Sequence, residues 1–254
     1  MVIDDKIIVI DAGLLHQVMS GNIPGHIYKK IRAHSHAVGT ADQEISALNV
    51  VGFGNWPSTG GVVSVVSDNA ADAAAGTGAR SIIVRGLLKT TWAEDTETVV
   101  PNGVNPVTTT KEFIRINELE VVTSGLVGTT IKSNVGTITA SIGADDIIEI
   151  YPQHSTSDAG RITIPAGYEG HFQNPEASAI GNKAMTYHIF CRDNTVTDAA
   201  FQLRGSWSSL DGGYRPNGLI EIFTEKVDLI FIGHAELAGA KANASIEGYI
   251  KEVT

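Results

Sequence analysis

The stretch from Val62 to Val122 decides the fold class. It opens as Val62-Val63-Ser64-Val65-Val66-Ser67 and breaks at small residues through Gly76-Thr77-Gly78-Ala79-Arg80. It resumes as Ser81-Ile82-Ile83-Val84-Arg85-Gly86-Leu87. After an acidic turn come Thr96-Glu97-Thr98-Val99-Val100, then Pro106-Val107-Thr108-Thr109-Thr110, then Phe113-Ile114-Arg115-Ile116 and on to Val121-Val122. Short β-branched runs bounded by Gly, Pro, Asn and Asp are the pattern of successive antiparallel strands. No catalytic constellation sits among them. The pattern predicts sheet, with edges that need covering.

The C-terminal third reads the same way. Strands are expected over 185–192, 200–207, 219–223, 227–237 and 244–253. Alternation is good in Phe201-Gln202-Leu203-Arg204 and in Ile246-Glu247-Gly248-Tyr249-Ile250, so one face is apolar and the other wet. Asp228-Leu229-Ile230-Phe231-Ile232 is more continuously apolar and suits a central strand. Further strands fall at Gly136–Ile142 and Ile147–Tyr151. Roughly a dozen short strands, little helical period and no βαβ alternation predict an all-β antiparallel β-sandwich, jelly-roll-like.

Residues 1–60 read as a distinct N-terminal arm, and 61–254 as the β-sandwich body. Lys6-Ile7-Ile8-Val9-Ile10 reads as a strand, and Leu14–Met19 fits a short helix or a strand equally. Gly52-Phe53-Gly54-Asn55-Trp56-Pro57 resembles a linker with two aromatic anchors.

Composition excludes several classes. The chain has 254 residues, 43% hydrophobic and 18% charged, enough to bury a sizeable core and too apolar for long disordered tracts. Eighteen basic against 28 acidic side chains leave a formal charge of −10, without a basic run beyond Lys29-Lys30, which disfavours direct nucleic-acid binding. No leader and no membrane span is expected, and folding in a cytoplasm is.

Candidate chemistry is sparse. Cys191 is the one cysteine, in an apolar strand-like run, and His188 three residues earlier points to the opposite strand face; a buried thiol is expected rather than a nucleophile. Gly76-Thr77-Gly78-Ala79-Arg80-Ser81 lacks the last glycine of a phosphate loop and precedes a strand, so it reads as an inter-strand loop. Asp145-Asp146 with Glu149 read as solvated turn acids. His34 and His36 share one strand face, half of a possible metal site, but His16, His26 and Asp42 nearby show no recognised ligand spacing. No metal and no cofactor is expected, and the two histidines are interface candidates. So are Arg80, Trp56, and Trp207, Tyr214 and Arg215 in the distinctive loop Trp207–Gly218. Arg85 and Arg115 are expected to pair with acids across a subunit boundary or to face outward.

The series Ser67–Arg80, followed by Ile83-Val84-Arg85-Gly86-Leu87, Glu97-Thr98-Val99, Val107-Thr108-Thr109-Thr110, Phe113-Ile114-Arg115, Asn134-Val135-Gly136-Thr137-Ile138-Thr139 and Ile164-Pro165-Ala166-Gly167, resembles a segment of tailed-phage virion structural proteins. The likeness spans about the middle half of the chain. It departs where that family often has Asp after the Gly-Leu pair, since Leu88-Lys89 follows here. The resemblance implies a non-enzymatic virion part: first a capsid decoration protein, alternatively a tail, baseplate or fibre-adaptor protein. It implies a homo-oligomer, a trimer, with other virion proteins such as major capsid or tail proteins as partners. A rival of another class is a carbohydrate-binding or depolymerising module with the Trp207–Tyr214 loop as its sugar platform.

Overall fold

The protein, described here as a computed structural model, is defined over residues 12–125, 132–180, 183–209, 212–214 and 221–253. One short helix, α1 (Ala12–Met19), precedes β1 (His26–Val38) and β2 (Gln43–Glu44). Then come β3 (Gly61–Ser67), β4 (Ala79–Leu88), β5 (Glu94–Val99), β6 (Val107–Ser124), β7 (Ile138–Ile142) and β8 (Asp145–Ile150). The remainder is β9 (Arg161–Thr163), β10 (Tyr168–Ile180), β11 (Met185–Asp193), β12 (Gln202–Ser209), β13 (Gly212–Tyr214), β14 (Glu221–Phe223), β15 (Val227–Ala235) and β16 (Ala240–Glu252).

Three antiparallel sheets result. The first has the order β1-β16-β10-β13, with β14 also on β10; the second has the order β12-β11-β15-β2, with β9 also on β15. Their pairings nest. β1 pairs with β16, β2 with β15, β10 with β13 and β11 with β12. This is one long antiparallel ribbon, first strand with last and fourth with fifth, folded over so that the two sheets face each other. That path is a jelly roll. Its core takes alternate residues from both sheets, among them Ile31, Phe172, Ala244 and Ile250 facing Tyr187, Ile189, Leu229 and Phe231.

The third sheet, β5-β4-β6-β3-β7-β8, is an insertion with its own core of Val63, Ile82, Phe113, Leu119, Ile138 and Ile148. It interrupts the roll's second strand. β2 pairs with Ile232 and Gly233 of β15, and β9 continues along Asp228, Leu229 and Ile230. Between them Phe231 gives its carbonyl to Ile45 N at 3.1 Å and its N–H to Gly160 O at 2.8 Å. One residue of β15 thus holds both ends of the inserted 45–160 segment. Gly160 has φ +65°, and a Cβ there would stand 2.7 Å from that of Ala33, so glycine is required at the splice.

The arm expected over residues 1–60 is not what the structure places from His26 onward. β1 runs the length of β16 from His26↔Lys251 to Val38↔Ala240, with one register shift after Ser35, and β2 belongs to the opposite sheet. The reason is burial: Ile31, Ala33, Ser35 and Val38 point inward, with Arg32 and His36 outward among the charges that hid the strand. Leu14–Met19 is helical, and Leu15 and Val18 bury its inner side beside β1 and β16. The strand expected at Ile7–Ile10 lies outside the described residues. Among the described residues no helix is long and apolar enough to cross a membrane.

Deleting residues 1–60 therefore removes two strands of the roll and leaves β16 without one of its two neighbours. The expected outcome is loss of the cooperative thermal transition followed by circular dichroism; a truncated chain that still melts cooperatively would contradict this placement of β1.

Candidate functional site

Where the insertion meets the roll, charge is buried. Arg115 of β6 directs Nε and Nη2 to the Asp228 carboxylate at 2.9 and 3.1 Å, Nη1 to Pro57 O at 2.8 Å and Ile114 O at 2.9 Å, and Nη2 also to Asn194 Oδ1 at 3.0 Å. All five guanidinium donors are used. Arg115 and Asp228 are 5% and 0% exposed at their side chains. The same carboxylate accepts from Thr163 Oγ1 at 2.6 Å and Arg192 Nη2 at 2.6 Å. Arg161 forms a second buried pair with Glu44 through two hydrogen bonds and gives Nη1 to Asn55 O at 2.9 Å. Trp56 lies among the three cations, its ring centroid 4.7 to 5.5 Å from the guanidinium carbons of Arg161, Arg115 and Arg192, a cation–π arrangement. Its indole donates to Phe53 O at 2.6 Å, and Phe53 stacks on Phe201 at 4.5 Å. These arginines are held by acceptors of their own chain. Trp56, expected as an aromatic anchor of the linker and as an interface candidate, packs here on arginines of its own chain, and Arg115 pairs within the chain rather than across a subunit boundary. Arg85 likewise pairs with Glu120 at 2.6 Å and Glu118 at 3.3 Å on the neighbouring strand.

Other expected positions fall out as follows. Trp207 is a core residue, 8% exposed, its ring parallel to Tyr187 and edge-on to Phe231. It points into the roll against β11 and β15, so it offers no platform to a sugar, whereas Gln202, Leu203 and Arg204 at the start of β12 are all exposed and do not show the alternation expected there. Tyr214 sits in β13 opposite Ala177, and Arg215 lies outside the described residues. Arg80 is exposed and folds back to Gly76 O at 2.9 Å. Cys191 is buried, accepts from Arg204 Nε at 2.9 Å and faces away from His188, as expected.

The glycine loop has a structural reason. Buried Asp72 accepts the amides of Ala79, Val135 and Gly136 at 2.7 to 2.9 Å and the Ser67 hydroxyl at 2.7 Å. A Cβ on Gly78 would stand 2.0 Å from Asp72 Oδ1. The loop wraps its own carboxylate. Asp145 and Asp146 are exposed, but they open β8 rather than lie in the turn, which is Gly143-Ala144, and Asp146 Oδ1 accepts from Ser141 Oγ at 2.6 Å. Glu149 differs: burial, with Asp146 and Asp68 nearby, pushes its carboxyl pKa up, against the hydrogen bond from Thr139 Oγ1 at 2.9 Å.

The histidines gather. His34 and His36 project from the outer face of β1, as their spacing implied, and His154 joins them from the segment that returns from β8 to β9. The three can present ligand nitrogens all within 4.8 Å of one another. Ring centroids lie 4.7, 5.2 and 5.4 Å apart. Tyr151 packs on His36 at 4.1 Å, and its hydroxyl accepts the His36 amide at 3.2 Å. His34 Nδ1 donates to Asn243 Oδ1 at 2.5 Å, while its Nε2 is buried without a partner. Burial first, then the neighbouring imidazole of His34, lowers the pKa of His36 and His154. A second group joins Asp42, His188 and His234, with His234 Nδ1 on Asp42 Oδ1 at 2.7 Å. No protein-family model matches the chain, and no curated protein matches it.

Two measurements check these assignments. Asp228→Asn removes the charge that offsets buried Arg115; urea unfolding is expected to show a loss of about 3–5 kcal/mol. For Glu149 the folded pKa is raised above the unfolded one, so stability is fullest below the unfolded pKa and is lost as pH rises through the folded value. Glu149→Gln is expected to raise the melting temperature at neutral pH and to leave it unchanged near about pH 4, where the unfolded carboxyl titrates.

Proposed function

We propose that the chain is a non-enzymatic structural subunit of a tailed-phage particle, first as a capsid decoration protein and alternatively as a tail, baseplate or fibre-adaptor part. What carries the reading is the jelly-roll path with a β-sheet insertion spliced into its second strand. The step from that fold to a role is analogy, joined to the sequence likeness around Ser67–Arg80 and beyond.

Other features agree with it. The junction spends its charge on holding two β-lobes in one orientation, which suits a building block more than a moving catalyst. A net charge of −10 keeps free subunits soluble until they assemble. Exposed Val196 and Ile222 line a depression of about 410 Å³ at one end of the roll, with exposed Leu203 on β12 close by in sequence. In the proposed homotrimer such apolar surface is buried against a second copy or another virion protein. The sugar-platform alternative loses its tryptophan to the core.

Light scattering on the purified chain, with co-sedimentation on tailed-phage particles, tests the proposal. The expected result is a mass three times 26.8 kDa and saturable binding to particles. A monomer that fails to sediment with either capsids or tails overturns it.

A further inference from the structure

We infer that His34, His36 and His154 form a binding site for a divalent transition metal, zinc by preference, which clasps the insertion's return segment to the first strand of the roll.

The site is built by main-chain geometry. Residues 158–160 lie along the free side of β1: His34 N donates to Asp158 O at 2.9 Å, Gly160 N donates to Arg32 O at 2.6 Å, and Ala33 bridges Ala159. This docking brings the turn at Tyr151–His154 over the end of β1, where the strand's register with β16 shifts between Ser35 and Val38. His154 N donates to Tyr151 O at 3.1 Å and closes that turn. The two strand histidines reach the same side because a strand repeats every second residue.

The donor set selects the ion. Three imidazoles suit zinc, nickel or copper, whereas calcium and magnesium take oxygen ligands. His34 opposes Asn243 in the strand register, and the amide oxygen of Asn243 fixes the proton on Nδ1. That leaves the Nε2 lone pair as the group His34 can offer, and this is the buried atom without a hydrogen-bond partner. A metal-binding histidine usually gives its other N–H to such an oxygen, which sets ring orientation and basicity. Three protein ligands leave a fourth tetrahedral position for water, an anion or a side chain from outside. Charged neighbours include Lys241 near His36 and Asp158 near His154, with Lys30, Arg32 and Glu176 lining the same depression as His34.

The test uses the full chain, stripped by chelator and titrated with Zn²⁺ by calorimetry and with Co²⁺ by its visible absorption. Expected are one equivalent bound by His34, His36 and His154, tetrahedral cobalt bands, and a higher melting temperature with zinc, since a ligand of the folded state stabilises it. His36→Ala, at an exposed position, and His154→Ala should each abolish that equivalent and the zinc-dependent rise in melting temperature. Asn243→Ala should weaken binding by roughly 10–100-fold. The double variant Asp42→Asn/His234→Ala, which disables the second group, should keep the equivalent. Absence of binding overturns the proposal. So does an unchanged equivalent in folded His36→Ala, or loss of the equivalent in the Asp42/His234 double variant alone. The His36 variant decides if His154→Ala fails to fold.

Discussion

The fold depends on a splice. A jelly roll needs an unbroken second strand beside β15, and here that strand is cut and the 45–160 segment inserted in the gap. The cut is repaired twice. Phe231 supplies one hydrogen bond to each side of it. Arg161, the first residue of β9, then reaches back to Glu44, the last of β2, as a buried bidentate pair. Such a pair is costly to desolvate and gains little net energy over apolar packing. Its value is specificity: an aliphatic pair would tolerate β9 sliding along β15, whereas a guanidinium fork accepts one register only. A slip by one residue would turn every β9 side chain to the other face.

Around this splice the other buried charges fall into place. Asp228 lies one residue into β15, opposite Thr163 of β9, and collects Arg115 from the insertion and Arg192 from β11. Asn117 of β6 uses its side-chain amide as a strand would, its oxygen accepting Thr163 N at 3.0 Å and its nitrogen donating to Thr163 O at 3.4 Å. The insertion is thus tied to the roll by directional polar contacts, while each lobe keeps a separate apolar core. Trp56 lies between these cations, its π face offsetting part of their mutual repulsion.

Much of this architecture was legible in the sequence, and the exceptions have physical causes. Strands with clean alternation or continuous apolar runs, such as β4, β11, β15 and β16, announced themselves. β10 did not: it reads Tyr168-Glu169-Gly170-His171-Phe172-Gln173-Asn174-Pro175, with few β-branched residues and a proline. The register breaks between Gln173 and Glu176, and Asn174 has φ +55°, so the proline sits in a bulge where no ladder amide is required. β1 escaped for a different reason, since its outward positions are charged or imidazole and mask Ile31 and Ala33. The inserted second strand was beyond reach, because β2 and β9 are two and three residues long and acquire meaning only beside β15. The histidine cluster was half visible: His34 and His36 share a face by period alone, but His154 arrives through the insertion's return path, which no local spacing encodes. Asp72, the hub of the glycine loop, carried no signal beyond being an acid among alanines.

Edges decide how such a molecule meets another. The sequence suggested sheet edges in need of partners, yet the structure covers much of its own. Residues 158–160 lie along β1 from Arg32 to His34. Nearer the start of β1, Lys29 pairs with Glu94 of β5 at 2.5 Å and ties the roll's outer strand to the insertion's. Cation-bearing strands resist the addition of a further strand. β5 itself is acidic along Glu94-Asp95-Thr96-Glu97, and Glu97 is taken up by the amides of Thr110 and Lys111. Copies of this chain therefore have little open backbone to extend through at these edges. In the proposed assembly, contacts through the ends and faces of the two lobes would use patches held apart by a fixed inter-lobe angle. That angle is set by the buried charges at the splice, so the residues that keep the second strand in register also determine which surfaces the molecule can present at once.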